Sequence, residues 1–106
     1  MSHFQKKDSL QKKVDARDLL RLSKCLDYSK LDELGVLLGL NANQIYCAHY
    51  NSQGYLPRVC VNLLLKWRDV SGKNATLEQF IHVLNVCKSK GHKIDFANIN
   101  ILLQDY

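Results

Sequence analysis

The chain has 106 residues, 46% of them apolar and 24% charged, with a formal net charge of +5. This is the length of one domain with the composition of a globular protein, which excludes a disordered charged tail. No apolar run nears the ~20 residues that a membrane-spanning helix needs.

The charge is uneven along the chain. Residues 1–30 carry eight basic and four acidic side chains, residues 31–60 one and two, and residues 61–106 six and four. The N-terminus is polar and basic with no apolar stretch behind it, so no secretory signal is expected. Cys25, Cys47, Cys60 and Cys87 are widely spaced and fall inside helical patterns. Reduced, mostly buried thiols in a cytoplasmic protein are the reading that follows.

Residues 1–14 read as a basic, partly ordered arm that packs through Leu10 and Val14. The spacing predicts a first helix over Ala16–Leu26, capped by Asp15, with Leu19, Leu22 and Leu26 inward. Arg17, Arg21 and Lys24 form a basic stripe on its outer face. A second helix is expected from Ser29, with Leu31, Leu34 and Leu38 inward and Gly39 at its end. Asn41 and Gln44 have capping-box spacing and open a short third helix holding Ile45, Cys47 or Ala48, and Tyr50. Asn51–Gly54 is a polar turn. The fourth helix starts near Pro57, where the missing N–H costs nothing. In it Cys60, Leu63, Leu64 and Trp67 fall at i, i+3, i+4 and i+7, one apolar stripe. Gly72 closes that helix, and Thr76 with Gln79 repeats the capping box. Leu77, Phe80, Ile81 and Leu84 resume the stripe in a fifth helix that Gly91 stops. Asp95 caps a sixth, expected to bury Ala97, Ile101 and Leu102 behind Ile94 and Phe96. Six helices and no convincing strand predict an all-α bundle.

A Trp late in one helix, a polar turn with Gly, then Ala75-Thr76 opening a helix with Leu77 and Phe80-Ile81 behind it resembles the death domains. The likeness extends upstream to Leu34–Leu40 and downstream to about Gln104. Where such domains often carry a second Trp, at the start of helix 2, this chain has Leu31. The resemblance implies a six-helix antiparallel Greek-key bundle over residues 15–106. It also implies a non-enzymatic adaptor that binds other death domains in apoptotic or innate immune signalling. Caspase-recruitment and death-effector domains are the neighbouring alternatives.

Competing chemistries are weaker. Cys47 and His49 are one loose pair, whereas zinc sites show paired ligands twice over. No nucleophile–base–orienter set and no phosphate-cradling loop is visible, so no enzyme, cofactor or metal is expected. A basic helical module that binds nucleic acid is the reading from another class, since Arg17, Arg21 and Lys24 would neutralise phosphates. Against it, no recognition helix and no aromatic stacking platform can be identified. Trp67 reads as core, His82 as a partly exposed helix residue and His92 as a solvated loop residue.

Charge asymmetry suggests head-to-tail contacts that propagate into higher-order assemblies, with basic Arg17, Arg21 and Lys24 meeting acidic Asp32 and Glu33. By resemblance, a second contact would set Arg68, Asp69 and Lys73 against Lys88, Lys90, His92 and Lys93. Because the latter group is basic, it calls for an acidic partner.

Overall fold

Capping chemistry sets where the helices start. In this computed structural model, which describes residues 10–104, six α-helices follow one another. They are α1 (Ala16–Leu22), α2 (Leu31–Leu37), α3 (Ala42–Asn51), α4 (Leu56–Ser71), α5 (Leu77–Ser89) and α6 (Phe96–Leu103). Asp15 caps α1 by accepting from the Arg17 N–H at 2.8 Å. At α3 both arms of the capping box form: Gln44 N–H donates to Asn41 Oδ1 and Asn41 N–H to Gln44 Oε1, each at 2.8 Å. Asp95 accepts from Asn98 N–H at 3.0 Å and starts α6. Each such cap satisfies an otherwise orphan N–H and contributes about 1 kcal/mol.

Several expected boundaries move. The α-helical part of the first helix ends at Leu22, and Ser23–Cys25 tighten into a 3₁₀ turn before Leu26 leaves in extended conformation. The second helix is not capped by Ser29. Asp27 instead caps the 3₁₀ turn ahead of it, accepting from the Ser29 N–H at 3.0 Å and the Ser29 hydroxyl at 2.6 Å, and α2 itself starts without a side-chain cap. A 3₁₀ turn over Tyr28–Lys30 then leads into α2. At α5 Thr76 Oγ1 accepts from Gln79 N–H at 3.1 Å. The reciprocal arm is replaced, because Thr76 N–H donates to the Asn74 carbonyl at 2.8 Å.

α4 is the longest helix and packs against α1, α2 and α3, while α5 packs on α2 and α6 on α1. Its inward stripe of Val59, Cys60, Leu63, Leu64 and Trp67 is buried. Trp67 meets Phe80 of α5 with ring centroids 5.6 Å apart and a 40° tilt, within the range that favours aromatic pairs. Gly72, at φ 56°, turns the chain between these helices, a backbone state that L side chains resist. Gly35 of α2 has a different role. A Cβ there would lie 2.7 Å from Ile45 Cγ1 and 2.8 Å from Ile45 Cδ1, so only a bare Cα lets α2 approach α3 this closely.

In α6 the inward residues are Ile99 and Leu103. Ala97 and Ile101 are exposed and Leu102 is half-buried, so the expected stripe is displaced around the helix. Ile94 and Phe96 do cover the start of α6. Cys25, Cys60 and Cys87 are buried as expected, whereas Cys47 and Tyr50 point outward. All four thiols are free.

The expected arm falls partly outside the described residues, which begin at Leu10. Val14 is fully buried and Leu10 packs against the core. Lys13 pairs with Thr76 in an isolated antiparallel bridge, and Val14 N–H donates to the Ala75 carbonyl at 2.8 Å. Residues 12–14 thus lie extended along the corner between α4 and α5. Among the described residues no helix is long and apolar enough to cross a membrane.

Candidate interaction surfaces

Arg17 and Arg21 are exposed on α1, and Lys24, expected on the same helical stripe, is exposed in the 3₁₀ turn that follows Leu22. Opposite charge on the same helix engages only Arg21, whose Nη1 lies 3.9 Å from Asp18 Oδ1, one turn away. Such an exposed pair is worth a few tenths of a kcal/mol, so the guanidinium remains available to a partner.

The acidic pair at the start of α2 is organised in a way the linear sequence does not reveal. Asp32 Oδ1 sits 2.7 Å from His49 Nε2 of α3, and Glu33 Oε1 sits 2.7 Å from His92 Nε2 in the α5–α6 connection. His92 is therefore not a solvated loop residue; it is 3% exposed. The bond to its imidazole is the main cause that lowers the Glu33 carboxyl below the usual carboxylate range. The Asp32 side chain keeps 79% and Glu33 46% of its surface, so each carboxylate still presents oxygen to solvent.

The connection between α5 and α6, with the first turn of α6, is tied to the segment between α1 and α2 at three further points. Lys93 N–H donates to Asp27 Oδ2 at 2.9 Å, Asp95 N–H to the Cys25 carbonyl at 3.0 Å, and the Asn98 amide to Cys25 Sγ at 3.5 Å. Hydrogen bonds from the Ser29 hydroxyl first, then from the Lys93 and Ser29 N–H groups, pull the Asp27 carboxyl down to about 2. Lys90 and Lys93 are exposed on this fixed segment, and Lys88 is exposed on the last turn of α5 before it.

Of the residues expected opposite them, Asp69 and Lys73 are exposed. Arg68 is not. It is half-buried, and its Nε donates to the Val14 carbonyl, holding the extended segment over the α4–α5 corner. Its primary role is internal. A second exposed feature lies on α3 and the turn after it, where Tyr46 and Tyr50 stack with centroids 6.1 Å apart. Among the described residues, no three His, Cys, Asp or Glu side chains gather where they would hold a metal ion.

Asp27 and His49 were not legible as site residues, and His92, expected in the basic contact group, is instead buried against Glu33. Their partners lie 66, 17 and 59 positions away, beyond any local pattern. Compared with known proteins, the chain matches no family model and no curated protein.

Proposed function

We propose that this chain is a non-enzymatic homotypic interaction domain of the death-domain type, folded as an antiparallel Greek key, that builds signalling assemblies in the cytoplasm. The observation that carries the reading is the separation of exposed charge. Arg17 and Arg21 are exposed on α1 and Lys24 in the 3₁₀ turn that follows it, whereas Asp32 and Glu33 are exposed on α2. Contacts of this kind are small and individually weak. Electrostatic complementarity sets their specificity and repetition in a multi-chain assembly supplies avidity. The helix order and the Trp67–Phe80 contact agree with the same reading. On this reading the domain recruits caspases or kinases, through other death domains, in apoptosis or innate immunity.

The α5–α6 connection offers a second contact. With Arg68 committed internally, Asp69 and Lys73 face the task against Lys88, Lys90 and Lys93, and an acidic partner fits that basic group better than a second copy. Light scattering coupled to size exclusion, across concentration and salt, tests the proposal. Oligomers that dissolve with salt are expected, and Arg21→Glu abolishes them with helicity unchanged. Pairing Arg21→Glu with Asp32→Lys chains restores part of the association. Assembly that persists in Arg21→Glu refutes the assigned face.

A further inference from the structure

A recess of about 320 Å³ is bounded by α5, α6 and Leu10. Ile99 and Leu103, both buried, form its floor, and Leu10, Ile81 and Phe96, each half-buried, form its walls. The wall side chains pack on the core from one side and leave apolar surface open on the other. Glu78 and Asn100, both exposed, supply its polar edge. Charge is scarce around this hollow. Residues 79–87 and 96–104 hold no Asp, Glu, Lys or Arg. Glu78 is thus the one charged side chain among the described residues that line the recess, and it makes no ion pair with any of them.

An apolar hollow with one or two polar groups at its edge is the make-up of a small-molecule site. At about 30 Å³ per non-hydrogen atom, the share of a water in the liquid, the space holds about ten such atoms. The polar edge selects the head group. An ionised carboxylate accepts hydrogen bonds and donates none, and beside apolar walls its field is screened less than in open water. An ammonium supplies three donors and the opposite charge, and the Glu78 carboxylate and the Asn100 amide oxygen both accept. A carboxylate or phosphate head would meet like charge, with no cation among the lining residues to receive it. We propose that the recess binds a small primary amine. Its alkyl or aryl body fills the space and its ammonium pairs with Glu78.

Glu78 also stands in the first turn of α5, where a negative charge suits the helix N-terminus. That placement accounts for the residue type and not for the hollow beside it. Arg17, Arg21, Asp32 and Glu33, the residues assigned to assembly, do not line the recess. The inference therefore stands apart from the homotypic reading, and either can fail without the other.

The test titrates the full chain with three probes of matched length: octylamine, 1-octanol and octanoate. Methyl resonances of Ile81, Ile99 and Leu103 report on the recess. Octylamine is expected to shift them saturably, with 1-octanol binding about tenfold more weakly and octanoate more weakly still. Glu78→Gln lowers octylamine affinity about tenfold, to the level of 1-octanol, and leaves 1-octanol binding unchanged. Asn100→Phe places a ring over the hollow and weakens both, with an unchanged circular dichroism spectrum. Absence of saturable binding, octanoate binding as tight as octylamine, unaffected variants, or shifts centred on other helices each overturn the proposal. Shifts of the same methyls when the protein alone is concentrated also overturn it, by assigning the recess to a second copy.

Discussion

Replacing Gly35 by Ala separates helix propensity from packing. Gly35 lies inside α2, and on propensity alone Ala would stabilise an interior helical site by about 1 kcal/mol. The structure opposes this. The added methyl would stand 2.7 and 2.8 Å from Ile45 Cγ1 and Cδ1 and 3.4 Å from Leu63 Cδ2. Ile45 is β-branched and buried, so it yields only by leaving its rotamer or by separating α2 from α3. Overpacking of this kind costs about 1–3 kcal/mol. The net expectation is a loss on the order of 1 kcal/mol, or about 4–8 °C in Tm for a domain of this size. The double-mutant cycle with Ile45→Ala sharpens the test. Alone, Ile45→Ala costs about 2–4 kcal/mol by leaving a cavity. In that background Gly35→Ala should become stabilising, because both clashing carbons are gone. Urea unfolding followed by circular dichroism measures all four corners. If Gly35→Ala stabilises the parent chain as it does the Ile45→Ala chain, the close approach of α2 and α3 is wrong. The pairing of Asp32 with His49 would then lose its structural basis.

Three further outcomes follow from particular contacts. Arg68→Ala removes the charged donor to the Val14 carbonyl and should cost about 1–2 kcal/mol. Faster hydrogen exchange at Val14 with salt-dependent assembly unchanged would mark the role as internal, whereas lost assembly at intact stability would refute it. The Asp27 carboxyl is held at about 2 against an ordinary 3.8. Because the folded value is the lower one, its stabilisation is complete above pH ~4 and disappears as pH falls toward 2. Solvent screening limits it to about 1 kcal/mol, and Asp27→Asn should flatten the acid limb of a plot of unfolding free energy against pH. Finally, burial pushes the Cys60 thiol up to about 12 and the Cys87 thiol up to about 11. An alkylating agent at neutral pH, followed by mass spectrometry, should therefore modify exposed Cys47 first and Cys60 last. Early modification of Cys60 would contradict its burial.

The parts of this protein visible in its sequence are those governed by short separations. The Asn41–Gln44 box and the caps at Asp15 and Asp95 each join residues within three positions, so side-chain chemistry alone specifies them. The stripe Cys60, Leu63, Leu64 and Trp67 needs only helical periodicity, and all four side chains are buried. α6 defeats the same reasoning because six of its eight residues are apolar. Several stripes then compete, and contact with α1 selects Ile99 and Leu103 over Ala97 and Ile101.

Sequence by itself determined the helical class, most helix starts, the two chain reversals at Gly72 and Gly91, and the exposed cations of α1. Tertiary structure alone decided that His92 is buried against Glu33, that Asp32 meets His49, that Arg68 secures Val14, and that Ile81 and Phe96 border one recess. The physical reason is range. Caps and periodicity are set by a few neighbouring dihedrals. Partners 59 or 54 positions apart meet only after the core has fixed how the helices cross, and no local preference encodes that crossing.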